Sequence, residues 1–141
     1  MDAGGISVVR TLPIDPAIVN GVLFALRRET PGSVTGWSLG RRGSVEVDVD
    51  FFRTGAPDAS WTTTARLWDP QAVAVARAVV ELTVVEPDSC ELSIRPELPL
   101  SPWWSARMPA LMDLARAALD ELAEELLWHA TREGVPSHDL P

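Results

Sequence analysis

Lysine and tyrosine are absent from this chain, cysteine occurs once and histidine twice. A single thiol, Cys90, can neither close an internal disulfide nor build a zinc site. Its neighbours Leu92 and Ile94 share its parity in an expected strand, which reads as a small buried residue. No run of about 18 apolar residues exists, so no membrane span is expected. Residues 1–9 lack a basic run followed by an apolar stretch, so no secretory signal is expected and cytoplasmic residence follows by default. There is no glycine-rich phosphate loop and no cluster with metal-ligand spacing, and no cofactor is expected. The missing lysines carry no mechanism of their own, because 12 arginines supply all the cationic side chains except histidine.

What is present is ordinary for one globular domain. The 141 residues are 46% apolar and 23% charged, enough to bury a core without staples. The net charge of −8 repels phosphate, which disfavours nucleic acid and anionic membrane surfaces as partners. Nothing divides residues 1–141 into two domains; residues 1–5 and 134–141 read as flexible ends.

Along the chain, residues 6–12 read as a strand. Asp15-Pro16 starts a helix, with Asp15 as cap and Pro16 suited to the first helical position. Ile18, Val19, Val22, Leu23 and Leu26 then recur at helical spacing, and Pro31-Gly32 stops the run. From Gly36 the period becomes two. Gly40 to Gly43 reads as a hairpin turn, and residues 44–53 alternate cleanly. Val45, Val47, Val49 and Phe51 point one way, and Glu46, Asp48 and Asp50 the other, as in a sheet with one wet face.

Residues 60–68 form the next expected strand, with Trp61, Thr63, Ala65 and Leu67 on one face. Residues 72–86 are rich in both alanine and valine; the valines favour a long strand. Pro87-Asp88-Ser89 turns into a strand at 90–95. Pro96 to Pro102 holds three prolines and forms an irregular connector. A helix then runs from about Pro102 or Pro109 to about Arg132, with Leu111, Ala115, Ala118, Leu119, Leu122, Leu126 and His129 or Ala130 as its apolar stripe. The expected fold is α+β: a curved antiparallel sheet of about six strands gripping a long C-terminal helix, with one helix after the first strand.

This order resembles the START-like helix-grip superfamily, which includes polyketide cyclases and lipid-transfer proteins. The residues that carry the resemblance are the Asp15-Pro16 helix entry, the Val45 to Phe51 strand, the Ala72 to Arg95 hairpin and the Pro109 to Arg132 helix. The resemblance covers roughly residues 6–132. The usual form has seven strands and two short helices after the first strand, so this chain reads as a reduced form. What the resemblance implies is an apolar cavity between sheet and final helix.

Three readings of function follow. In the first, a small apolar or aromatic ligand sits beneath the helix, lined by Val47, Val49, Phe51, Trp61, Thr63, Ala65, Ala76, Ala78, Met112, Ala115 and Leu119, with Trp103 and Trp104 at the mouth. Ala74, Ala76 and Ala78 leave either a cavity or a helix seated close on a filled core. In the second, exposed Trp103-Trp104 and sheet edges make a homodimer or another protein contact. In the third, the domain is a polyketide cyclase-like enzyme that works by shaping a chain in the cavity; no inward acid or base supports it, and no catalytic residue is assigned. The acidic row Glu46, Asp48, Asp50 has a spacing of roughly 6.5–7 Å between neighbours, too wide for one ion, and reads as a solvated face with Arg66 as cross-strand partner. Arg77 with Glu81, and Arg116 with Asp120, read as surface pairs. His129 reads as an electrostatic fit to the helix C-terminus rather than a base.

Overall fold

The computed structural model describes residues 7–29, 33–38, 44–48, 51–53, 60–68, 75–86 and 88–134, with the backbone alone described at 33–38, 44, 86, 133 and 134. The architecture is α+β, as the periodicity predicts. Seven strands form one curved, open, antiparallel sheet: β1 (Val8–Leu12), β2 (Ser33–Ser38), β3 (Ser44–Asp48), β4 (Phe52–Arg53), β5 (Ser60–Trp68), β6 (Val75–Glu86) and β7 (Ser89–Pro96). Six of them follow the order β1-β7-β6-β5-β3-β2, and the two-residue β4 pairs with β5. The helices are α1 (Val19–Glu29), α2 (Pro102–Ser105) and α3 (Met108–Gly134).

Asp15 caps as expected, its carboxylate accepting from the Ala17 N–H at 2.9 Å. The first turn it starts is a short 3₁₀ turn, Pro16–Ile18, which feeds α1. Val19, Val22, Leu23, Ala25 and Leu26 of α1 are buried, and the helix packs on α3. The final helix starts near the later of its two expected points: Ser101 caps a separate short helix, α2, with its Oγ accepting from the Trp104 N–H at 3.3 Å, and α3 begins at Met108 after two intervening residues. At 1.5 Å per residue the 27 residues of α3 span about 40 Å, enough to cross the whole sheet.

The segment expected as one strand at 44–53 is two, and both lie along the same side of β5. Val47 stands opposite Ala65, while Phe52 stands opposite Thr62, so this chain uses two more residues than β5 over the same stretch. Two extra residues preserve parity. Phe51 and Arg53 therefore stay on the helix side with Trp61, and Phe52 faces outwards, exposed. The Thr63 hydroxyl, opposite this bulge, donates to the Asp48 carbonyl at 2.7 Å. The one polar residue on the inward list is thus a structural plug for a carbonyl at the bulge. Val49, Asp50 and Ala74 lie outside the described residues.

The core sits between the inner face of the sheet and α3. Leu111, Leu114, Ala115, Ala118, Leu119, Leu122, Ala123 and Leu126 are all buried, a stripe wider than the sequence period alone marks. Of the expected polar pairs, Glu46 and Arg66 stand in cross-strand register and form an ion pair. Glu81 instead meets Arg95 of β7 at 3.7 Å, because residues four apart on one strand, such as Arg77 and Glu81, are roughly 13 Å apart. Asp120 is taken by Arg10 of β1 at 3.1 Å, and Arg116 turns to Asp113 at 3.7 Å. No described helix is long and apolar enough to cross a membrane.

Candidate functional site

The residues expected to line a ligand fall into two groups. Val47, Ala65, Ala78, Ala115 and Leu119 are closed off almost completely, and Ala76 nearly so. Ala65 and Ala78 face each other directly across β5 and β6. No water-sized gap adjoins Ala78 or Ala115, whose exposure is 0%. These small side chains are enclosed beneath α3, which packs on β1, β7, β3 and β5. Thr63 is buried and committed to Asp48, and Met112 is half-buried.

The second group opens outwards. Phe51 is half-buried and Trp61 nearly buried, and both line a cleft of about 200 Å³ between α1 and the β4–β5 corner. Asn20, Leu23, Phe24 and Arg27 of α1 and Arg53 of β4 complete it. Phe24 is 61% exposed, and the Arg53 guanidinium lies 5.8 Å from the centroid of the Trp61 ring. The Trp61 indole N–H donates to Asn20 Oδ1 at 3.0 Å. That bond fixes the amide, so Asn20 turns its remaining donors rather than its oxygen to a newcomer. Among the described residues that line the cleft, the polar side chains are two guanidiniums and the Asn20 amide. Aromatic faces supply the rest.

Sequence reasoning found Phe51 and Trp61 by strand parity but missed Asn20, Phe24, Arg27 and Arg53. One signal was available. Phe24 falls off the stripe of Ile18, Val19, Val22, Leu23 and Leu26, and a large apolar residue off-stripe marks an exposed contact. Arg53 shares the parity of Val45 and Val47, but its place opposite Trp61 depends on the two extra residues, which no local pattern announces.

Trp103 and Trp104 divide. Trp104 is buried in the core, and its indole N–H has no hydrogen-bond partner among the described residues. Trp103 is half-buried under the Arg107 guanidinium, 3.3 Å from its ring centroid, while Arg107 also donates to the Trp103 carbonyl at 3.0 Å. One face of that ring is thereby occupied. His129 is buried and meets Trp128 edge-on at 4.8 Å; no hydrogen bond joins it to a Ser, Cys or Asp among the described residues. Burial, and secondarily the Asp15 carboxylate, push the Cys90 thiol above its ordinary 9.0, and the thiol donates to the Ile14 carbonyl at 3.5 Å. No group of three His, Cys, Asp or Glu that could hold a metal occurs among the described residues.

No family model matches the sequence, and comparison with curated proteins finds no match. Among solved structures, the chain is similar to TTHA0849 from Thermus thermophilus, with 13% identity and a TM-score of 0.37 over 86% of this chain and 96% of that one. A likeness of that size supports no inference about function.

Proposed function

We propose that the chain binds a small apolar or aromatic molecule, and that it does so in the cleft between α1 and the β4–β5 corner rather than beneath α3. The observation that carries this reading is the convergence of Phe24, Phe51 and Trp61 with Arg27 and Arg53 on one depression. Apolar walls with the Arg53 guanidinium at the rim favour a ligand with an aromatic body and an anionic acceptor, such as an aryl carboxylate. On this reading the domain is a reduced START-like helix-grip protein whose interior has closed and whose binding has moved to the rim. No catalytic step is assigned, because the described residues that line the cleft include no acid, base or nucleophile.

The test is calorimetric titration and thermal shift with 2-naphthoate, its neutral carboxamide and a short fatty acid. Naphthoate at about 100 times its Kd raises stability by about 2.7 kcal/mol through linkage. Arg53→Ala and Phe24→Ser each weaken it by about tenfold, which is about 1.4 kcal/mol. Unchanged melting with all three compounds at millimolar concentration defeats the proposal. So does binding that neither substitution weakens.

Self-association is the second reading. What supports it is the open sheet: β1 ends the strand order, with Val9 exposed and no strand beyond it among the described residues.

A further inference from the structure

A second depression lies on the other side of the molecule, where β7 leaves the sheet. β7 ends at Pro96 opposite Ala78, so the first residues of β6 have no β7 partner. The connector passes along them instead, with the Glu97 N–H donating to the Arg77 carbonyl at 2.8 Å. Between the two runs lies a groove of about 470 Å³, with Val75, Arg77, Glu97, Leu98, Leu100 and Trp104 in its lining.

Three features of this groove are independent of one another. Val75 and Leu98 are large apolar residues left 51% and 50% exposed, and they share it. Trp104 is only 1% exposed, and its indole N–H is buried with no acceptor among the described residues. Buried donors are almost always paired, and an indole N–H can only donate; this one, like that of Trp103, is sealed, so an acceptor reaches it only by a small opening of the groove floor. Arg77 and Glu97 stand together at the rim, one positive and one negative. A balanced pair suits a dipole better than an ion, since an anion attracted by Arg77 is repelled by Glu97.

We infer that the groove between the start of β6 and the 97–101 connector binds an apolar molecule bearing a neutral carboxamide. The carbonyl accepts from the Trp104 indole N–H and the Arg77 guanidinium. The amide N–H donates to Glu97. The apolar body lies on Val75, Leu98 and Leu100. This place is distinct from the α1 cleft and shares no residue with it.

The experiment uses the full chain labelled with ¹⁵N, in which each tryptophan gives one indole N–H resonance. Hexanamide and hexanoate are titrated in parallel, and the Trp104 resonance is assigned by through-bond connectivities, so no core substitution is needed. Hexanamide should shift that resonance saturably, and hexanoate should bind at least about tenfold more weakly. Leu98→Asp, at an exposed position, should reduce the hexanamide effect by a similar factor, and Glu97→Gln should narrow the preference over hexanoate. A Trp104 resonance unmoved by hexanamide, a shift that survives Leu98→Asp intact, or hexanoate binding as tightly as hexanamide overturns the inference.

Discussion

Replacing Ala78 by leucine tests whether any space lies between sheet and helix. Ala78 has 0% exposure and faces Ala65 across the strand pair, on the sheet surface that α3 covers. Leucine adds three carbons at that point. In an existing void, burial of about 0.8 kcal/mol per carbon would raise stability by roughly 2 kcal/mol. In a filled interior, the same carbons push side chains off their rotamers and lower stability by about 1–3 kcal/mol. The two cases differ in sign, so the result does not depend on fine accuracy. The close packing here predicts the loss. For a chain of this length that means a fall in Tm of roughly 3–12 °C. Urea unfolding gives the free energy directly, and an unchanged m-value shows that the native state keeps its compactness. A raised or unchanged Tm would refute the reasoning and restore a cavity beneath α3 as the binding place.

Other outcomes follow from single contacts. Thr63→Val keeps the shape but removes the hydroxyl that donates to the Asp48 carbonyl, and should lower urea-measured stability by about 0.5–1.5 kcal/mol. Leu119→Ala removes a buried anchor of α3 and should lower it by about 2–5 kcal/mol. Asp120→Asn breaks a bridge to Arg10 that is half in solvent and should change stability by less than about 1 kcal/mol, an effect that salt reduces further. Because the folded state holds the Cys90 thiol protonated, its contribution is complete below the unfolded thiol's pKa and fades as pH rises through 9.0 towards the raised folded value; Cys90→Ala should flatten that part of the stability–pH curve. Sedimentation velocity across concentration, with Val9→Lys as comparison, decides whether the β1 edge mediates self-association.

The fold was largely legible because its two periods are clean. The alternation of Trp61, Thr63, Ala65 and Leu67 and the stripe from Leu111 to Leu126 each name a buried face, and burial is what the sheet and α3 require. The same logic marked the interior around Ala65, Ala78 and Ala115 as small. It could not decide whether small means empty, because that depends on how near α3 comes, a distance set by the whole interface. The ionic contacts show a similar division. Glu46–Arg66 is a register neighbour and could be anticipated, whereas Arg10–Asp120 joins residues 110 positions apart and could not. The rim cleft was half hidden for a different reason. Phe51, Arg53 and Trp61 all follow parity, but Arg53 stands opposite Trp61 only because β4 gains two residues on β5.

The arginines connect the cleft to the rest of the surface. With no lysine in the chain, the ring faces of Phe24, Trp61, Trp103 and Trp128 each have a guanidinium within 3.3–5.8 Å of the centroid, from Arg28, Arg53, Arg107 and Arg132. A guanidinium stacks flat and keeps its in-plane donors, so a ring covered in this way remains solvated and can still present hydrogen bonds. Three of these pairs lie on a single helical turn or its immediate flank, Arg28 with Phe24, Arg107 with Trp103 and Arg132 with Trp128, where a spacing of four residues brings the partners together. Arg53 and Trp61 are different. They meet across strands in register, and the Trp61 edge is already held by Asn20. A stack assembled from α1, β4 and β5 depends on tertiary structure, and it borders a depression that the helical stacks do not. Selection for solubility alone accounts for the helical pairs. It does not account for three aromatic rings and two guanidiniums gathered from three elements around one cleft, and that convergence is what the proposed ligand binding rests on.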